Sequence, residues 1–120
     1  MADKTYSYLL EALSARGALL AALIDPLDYS GPAAAVKAGV SAANAGADYV
    51  LIGGSTGVGG ALLDGVAKDI KSQISVPLVL FPGNVTTVTK YADAVYFMTL
   101  LNSRNPYWIS GAQTLAAPVV

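Results

Sequence analysis

Residues 50–60 read VLIGGSTGVGG, and this stretch decides the fold. An apolar run ends abruptly in two glycines, which the hydroxyl residues Ser55 and Thr56 and three further glycines follow. A short apolar run bounded by glycine is typical of a strand that lies inside a parallel sheet. Glycine also lets a backbone approach its neighbour closely. The stretch therefore predicts a strand and a loop that faces another strand or a bound phosphate.

The same order of strand, loop and helix occurs four times along the chain. A first helix over residues 5–16, stopped by Gly17, precedes these four units. Consecutive βα units form a parallel sheet with right-handed crossovers. Ser30 is the expected N-cap of the helix that follows the first strand, and Asn44-Ala45-Gly46 is its expected stop. The predicted strands are 18–24, 48–52, 76–81 and 94–100, and the segments after them are a helix at 30–44, a helix at 60–73, a short helix or turn at 85–91 and a helix from 106 to 120.

The low charge of the chain favours one of two architectures. Apolar residues make up 54% of the sequence and charged residues only 12%, whereas about 25% charged is usual. Four βα units form either a small open α/β sheet or half of a TIM-type (β/α)8 barrel, which needs roughly 250 residues when complete. A half barrel explains the low charge, because the second half of the barrel would cover the sheet face and the two strand edges that an isolated half leaves bare. We expect residues 1–120 to be a single N-terminal half barrel that stops inside a helix, with the second half absent.

The composition excludes several classes of function. The chain has no cysteine and no histidine, which excludes disulfides, a thiolate nucleophile and a Ser-His-Asp triad. A bound metal must therefore have oxygen ligands, as Mg²⁺, Mn²⁺ and Ca²⁺ do. Seven basic residues against eight acidic ones, with no basic run, argue against nucleic acid as a partner. The first residues do not resemble a signal peptide and no apolar run could cross a membrane, so we expect a cytoplasmic protein.

Polar residues follow each predicted strand, at the edge where parallel sheets bind ligands. Asp25 and Ser55 follow neighbouring strands, and a carboxylate with a hydroxyl suits Mg²⁺ when substrate phosphates supply the remaining oxygens. Asp25-Pro26 is also common turn chemistry, and the fourth loop also suits a helix cap. The candidates are Asp25 and Asp28 in the first loop, Gly54, Ser55 and Thr56 in the second, Gly83 and Asn84 in the third, and Asn102, Ser103, Arg104 and Asn105 in the fourth.

The glycines do not match a nucleotide-binding fingerprint. A P-loop requires lysine where this chain has Gly60, and the G-x-G-x-x-G spacing from Gly57 reaches Leu62 instead of glycine. Two interpretations remain open for the glycine loop. It is either a tight turn from strand to helix or a set of backbone N–H groups that hold another anion.

Four stretches resemble the archaeal geranylgeranylglyceryl phosphate synthases and the related bacterial heptaprenylglyceryl phosphate synthases. They are LIDP (23–26), AGADYVLIGGSTGV (45–58), VPLVLFPGN (76–84) and FMTLLNSRNPYWISGAQ (97–113). The resemblance implies a (β/α)8 barrel and a Mg²⁺-dependent prenyltransferase of archaeal lipid biosynthesis. This activity joins sn-glycerol-1-phosphate to geranylgeranyl diphosphate through an ether bond. The resemblance also implies that Asp25 and Ser55 hold Mg²⁺ and that the other loop residues face the diphosphate or substrate.

The chain departs from the family pattern at the first strand end. Family members often read Asp-Pro-Asp-Lys there, whereas this chain reads Asp25-Pro26-Leu27-Asp28 and lacks the lysine. The general base and the glycerol phosphate contacts are expected in the absent half, so the 120-residue chain alone should be inactive. Candidates to line a hydrocarbon tail, or to be plain core, are Tyr91, Tyr96, Phe97 and Tyr107.

Two alternatives to the prenyltransferase remain open at this stage. One is a non-catalytic half-barrel module that pairs with itself or with a complementary half, and the other is a (β/α)8 enzyme for small phosphorylated substrates. The low charge leads us to expect either a homo-oligomer or a second chain that completes the barrel. A peripheral membrane contact is compatible with each of these three hypotheses.

Overall fold

The computed structural model describes residues 3–54, 57–97, 99–118 and 120. Within these ranges the chain is an α/β protein whose four strands are all parallel, in the order β1-β2-β3-β4. The predicted repeat of βα units is confirmed. The strands are β1 (Ala21–Ile24), β2 (Tyr49–Gly54), β3 (Leu78–Pro82) and β4 (Ala94–Val95), and the helices are α1 (Lys4–Arg16), α2 (Pro32–Asn44), α3 (Gly60–Lys71) and α4 (Gly111–Ala116).

One face of the sheet carries the hydrophobic core. Ile24, Ile52 and Leu80 lie at matching register on three neighbouring strands and are buried. Leu63 and Ile70 of α3 belong to the same buried cluster. The opposite face is also apolar, but it is open: the side chains of Leu23 and Phe81 are 54% and 48% exposed. The strands are therefore apolar on both faces, as predicted, although only one face is packed.

Two helix ends agree with the sequence analysis and one does not. α1 ends at Gly17, which has a left-handed φ of 77°, and Gly46 after α2 has a φ of 109°. The prediction that Ser30 is the N-cap of α2 is wrong. α2 starts at Pro32, so the cap position falls on Gly31, which makes no side-chain cap. Ser30 lies one residue too early to serve the first turn.

All four strands differ from their predicted bounds, and side-chain hydrogen bonds mark the starts of two of them. β1 starts at Ala21 because the Leu20 N–H donates to the Asp48 carboxylate, at 2.7 Å. β3 starts at Leu78, whose N–H donates to the Asp93 carboxylate at 2.8 Å. β2 continues to Gly54, two residues further than predicted. The segment 94–100 was predicted as one strand, but among the described residues β4 covers only Ala94–Val95 and pairs only with β3.

The segments after β3 and β4 are less helical than their patterns suggest. Residues 85–91 form turns, which was one of the two predicted alternatives. The segment from 106 onwards is interrupted. Pro106–Trp108 form a 3₁₀ turn capped by Asn105, and α4 begins only at Gly111. Among the described residues, no helix combines the length and apolar character needed to cross a bilayer.

Candidate functional site

A cavity of about 430 Å³ opens at the carboxyl edge of the sheet, where the sequence places its candidate residues. Its wall is mostly apolar and contains two carboxylates, Asp25 and Asp28. It is the point of the described chain at which three strand ends and the segment after β4 meet. The lining residues are Leu23, Asp25, Asp28, Gly53, Gly54, Phe81, Pro82, Gly83, Leu100 and Trp108.

The two carboxylate oxygens of Asp25 lie in different surroundings: one caps a turn, and the other lies beside β2. Its Oδ1 accepts a hydrogen bond from the Leu27 N–H at 3.0 Å and caps the 3₁₀ turn Pro26–Asp28. The interpretation of Asp25-Pro26 as the start of a turn is therefore correct. Its Oδ2 accepts no hydrogen bond from the described part of the chain, and a Cβ placed on Gly54 would lie 2.9 Å from it. The carboxylate can therefore cap the turn and still present an oxygen to a ligand.

The two glycines at the end of β2 are required by their neighbours. A Cβ on Gly53 would lie 1.9 Å from the Phe81 carbonyl oxygen of β3. A Cβ on Gly54 would lie 2.3 Å from Cγ2 of Val58. Glycine thus allows β3 to approach at one position and leaves room for Val58 and the Asp25 carboxylate at the next.

The structure brings together part of the predicted site. Asp25, Gly54 and Gly83 line the same cavity. Asn84 lies in the adjacent turn, where its Oδ1 accepts the Thr86 N–H at 2.8 Å. Ser55 and Thr56 lie outside the described residues, so the pairing of Asp25 with Ser55 stays a prediction.

The fourth loop stands apart from this cavity. None of the residues Asn102, Ser103, Arg104 and Asn105 belongs to its lining. The Ser103 hydroxyl accepts the Asn105 N–H at 3.0 Å, and the Asn105 side chain accepts the Tyr107 N–H at 3.0 Å. These contacts fit the capping interpretation, and a phosphate contact by this loop stays a prediction.

Sequence reasoning chose other residues for the apolar wall of the cavity. The aromatic residues that it proposed for a hydrocarbon tail do not line this cavity: Tyr91, Tyr96, Phe97 and Tyr107. A usable signal was present in the period of two along a strand. Leu23 lies two residues before Asp25 and so shares its face of the sheet. Phe81 is level with Gly53 in the neighbouring strand. Leu100 and Trp108 follow β4, where no regular pattern marks them.

The donor set of the cavity fits a hard cation. Asp25 is half-buried and Asp28 is exposed, so Asp25 is the carboxylate that attracts a positive charge more strongly than it would in water. Within the described ranges, no three acidic, histidine or cysteine side chains form a metal-binding cluster. A Mg²⁺ ion bound together with substrate phosphates needs only one or two protein oxygens, and Asp25 Oδ2 is available to supply one.

An acidic cavity at the carboxyl edge of parallel βα units is the arrangement in which ligand-binding α/β proteins, (β/α)8 barrels among them, hold their ligands. Solved structures agree with this class. The (S)-3-O-geranylgeranylglyceryl phosphate synthase of Thermoplasma acidophilum, crystallised with substrate sn-glycerol-1-phosphate, has a TM-score of 0.83 and 29% identity, and the match covers 98% of this chain and 47% of that one. The wild-type GGGPS of Thermoplasma volcanium has a TM-score of 0.76 and 36% identity, over 83% of this chain and 40% of that one.

The chain belongs to the PcrB family, whose model matches residues 20–120. Among its curated relatives is the geranylgeranylglyceryl phosphate synthase of Thermococcus sibiricus, which is 49% identical over 95% of this chain and 44% of the relative. The synthase of Thermofilum pendens is 42% identical over the whole chain and 47% of the relative. The chain therefore spans less than half the length of these relatives and corresponds to their N-terminal half.

Proposed function

We propose that this chain is the metal- and diphosphate-binding half of a Mg²⁺-dependent prenyltransferase of archaeal membrane lipid biosynthesis, located in the cytoplasm. The complete enzyme joins sn-glycerol-1-phosphate to geranylgeranyl diphosphate. The observation that carries the proposal is the cavity with Asp25 at one wall and apolar side chains at the other. A prenyl diphosphate has the same two-part chemistry, an anionic head that requires a cation and a hydrocarbon chain.

The residues of the cavity have distinct roles in this reaction. Asp25 would hold the cation, Gly54 leaves clearance beside it, and Phe81 and Trp108 would shield the allylic carbon from water once the prenyl chain packs against them. The oxygen of the glycerol hydroxyl forms a bond to C1 of the prenyl chain as the bond from C1 to the diphosphate oxygen breaks. The hydroxyl proton passes to a base outside this chain. When bound, Mg²⁺ offsets the negative charge that grows on the departing diphosphate.

A chimera provides the test of this function. Residues 1–120 are joined to the remaining length of the Thermococcus sibiricus synthase, and ether formation from the two substrates is measured with Mg²⁺ and with EDTA. Asp25→Asn keeps an acceptor for the Leu27 N–H but removes the charge, so we expect turnover to fall by about 100-fold or more. Asp69→Asn, an exposed change on α3, is the matched control. Equal turnover of the two variants would show that Asp25 does not hold the cation.

The open sheet face supports a second candidate, a half-barrel module that associates with another half barrel. Leu23, Phe81 and Tyr96 are all more than two-fifths exposed on the described chain, and such a surface favours association. Native mass spectrometry of the 120-residue chain tests this candidate. A dimer that lacks Mg²⁺-dependent diphosphate binding would favour the module, whereas a monomer that binds diphosphate would exclude it.

A further inference from the structure

The helix-free connection between β3 and β4 is attached to the glycine loop through one buried side chain. The Thr87 hydroxyl donates to the Val58 carbonyl oxygen at 2.9 Å, and both residues are almost completely buried. Next to this contact, a Cβ on Gly59 would lie only 2.6 Å from the Thr86 carbonyl oxygen. The two loops therefore touch through a hydrogen bond and a close backbone approach.

A chain of contacts leads from Thr87 to the cavity. Val58 accepts the Thr87 hydroxyl through its carbonyl, and its Cγ2 atom lies against Gly54. Gly54 in turn lies against the Asp25 carboxylate. Val58 thus lies against Gly54, and its backbone is held in this position by the hydrogen bond from Thr87.

We propose that Thr87 is a positioning residue that holds Val58 against Gly54 and so keeps the carboxyl end of β2 in place beside Asp25. Its link to metal binding rests on the proposed function, because Gly54 lies beside the Asp25 carboxylate that would hold the metal. The hydroxyl is the essential group. A buried carbonyl that loses its hydrogen bond is costly to keep in place, so Val58 shifts away from Gly54 when the donor is removed.

The chain offers a matched control two residues further on. The Thr89 hydroxyl donates to Oδ1 of Asp64 at 2.6 Å, so it fastens the same connection to α3 and not to the glycine loop. Thr87→Val and Thr89→Val remove the same group with the same change of shape. Thr87→Ser retains the hydroxyl and tests whether that group is sufficient.

Hydrogen exchange of a peptide spanning residues 53–60 tests the anchoring without reference to catalysis. We expect Thr87→Val to speed exchange in this peptide by about tenfold, the equivalent of one net hydrogen bond. Thr87→Ser and Thr89→Val should stay close to the wild-type rate there. Unchanged exchange in Thr87→Val, or equal acceleration in Thr89→Val, would overturn the proposal.

The chimera with the Thermococcus sibiricus half tests the link to the metal. Thr87→Val should raise the Mg²⁺ concentration for half-maximal turnover several-fold, whereas Thr87→Ser and Thr89→Val should leave it near the wild-type value. An unchanged Mg²⁺ requirement in Thr87→Val, together with faster exchange, would refute the link to the metal. If no variant requires Mg²⁺, the proposed function fails, while the exchange result still decides whether Thr87 positions Val58.

Discussion

Gly53 and Gly54 lack side chains for different reasons, and both reasons are local. At Gly53 the obstacle is the backbone of β3, which cannot move without separating the strands. At Gly54 the obstacles are the Val58 side chain and the Asp25 carboxylate. The sequence identified close approach as the purpose of the glycines but could not identify the approaching group. Strand register, which depends on the whole sheet, decides that question.

At Gly53, substitution by alanine should destabilise the fold by about 3 kcal/mol, because the new Cβ would meet a carbonyl oxygen that is fixed in the sheet. Gly65→Ala is the control, since a Cβ there meets no atom within 4 Å. That change should stabilise α3 by about 0.5 to 1 kcal/mol. Chemical denaturation measures both free energies of unfolding. Similar values for the two variants would contradict the close approach of β3.

Asp28 gives a second test at the residue scale. Its carboxylate lines the cavity beside Asp25, at the position where the family resemblance leads us to expect lysine. Asp28→Lys removes a negative charge and adds a positive one near the proposed diphosphate. Titration of the chimera with inorganic diphosphate should therefore show tighter binding at low ionic strength, with a smaller gain in high salt. Weaker binding would place the anion elsewhere.

At the scale of elements, two aspartates act in the same way: each precedes one strand and fixes the start of the strand that pairs with it. Asp48 precedes β2 and accepts the N–H of Leu20, and Asp93 precedes β4 and accepts the N–H of Leu78. Each also pairs with a basic residue, Arg16 and Lys71 respectively. The repeated Ala-Asp before a strand was visible in the sequence. Its long-range partners were not, because they depend on the parallel pairing of the strands.

Loss of these two carboxylates should have unequal costs. Asp48 is only 6% exposed, so Asp48→Ala should cost about 3 kcal/mol of stability. Asp93 is more exposed, and Asp93→Ala should cost about 1 to 2 kcal/mol. Guanidinium unfolding of both variants beside Asp69→Ala, which should be near zero, measures the difference. A smaller loss for Asp48 than for Asp93 would contradict this ranking.

Two tyrosines connect β2 with the segment after β4 on the open face. The hydroxyls of Tyr49 and Tyr96 lie 2.9 Å apart. This hydrogen bond, together with partial burial, raises the pKa of Tyr96 from 10.0 to about 12. The folded state therefore holds this proton more tightly than the unfolded state does. The resulting stability is complete below pH 10 and is lost as the pH rises to about 12.

The pH dependence of unfolding isolates this effect. Between pH 10 and about pH 12, the free energy of unfolding should fall more steeply for the wild type than for Tyr96→Phe, because only the wild type has the shifted group. The two proteins should have parallel profiles below that window. Parallel profiles throughout the alkaline range would show that the hydroxyl pair is absent in solution.

At the scale of the whole molecule, the sequence was sufficient for the half-barrel architecture. Four repeats of a two-sided apolar strand and a helix leave few topologies, and a charge content of 12% suggests a covered face. The sequence was insufficient to predict where the last strand ends and where the last helix begins. In the described part of the chain, β4 has a neighbour on one side only, and the segment from Pro106 is divided by a capped 3₁₀ turn. Neither feature changes the apolar pattern from which elements are predicted.

The most direct test of the account is the Mg²⁺ dependence of geranylgeranyl diphosphate binding by the 120-residue chain. Binding is measured with and without Mg²⁺ for the wild type, Asp25→Asn and Asp69→Asn. Adsorption of the prenyl tail to the open sheet face does not depend on Mg²⁺, so it cancels from the ratio of the two affinities. We expect Mg²⁺ to tighten binding by about tenfold or more in the wild type and in Asp69→Asn, and to have no effect in Asp25→Asn. A full Mg²⁺ effect in Asp25→Asn would contradict the central claim.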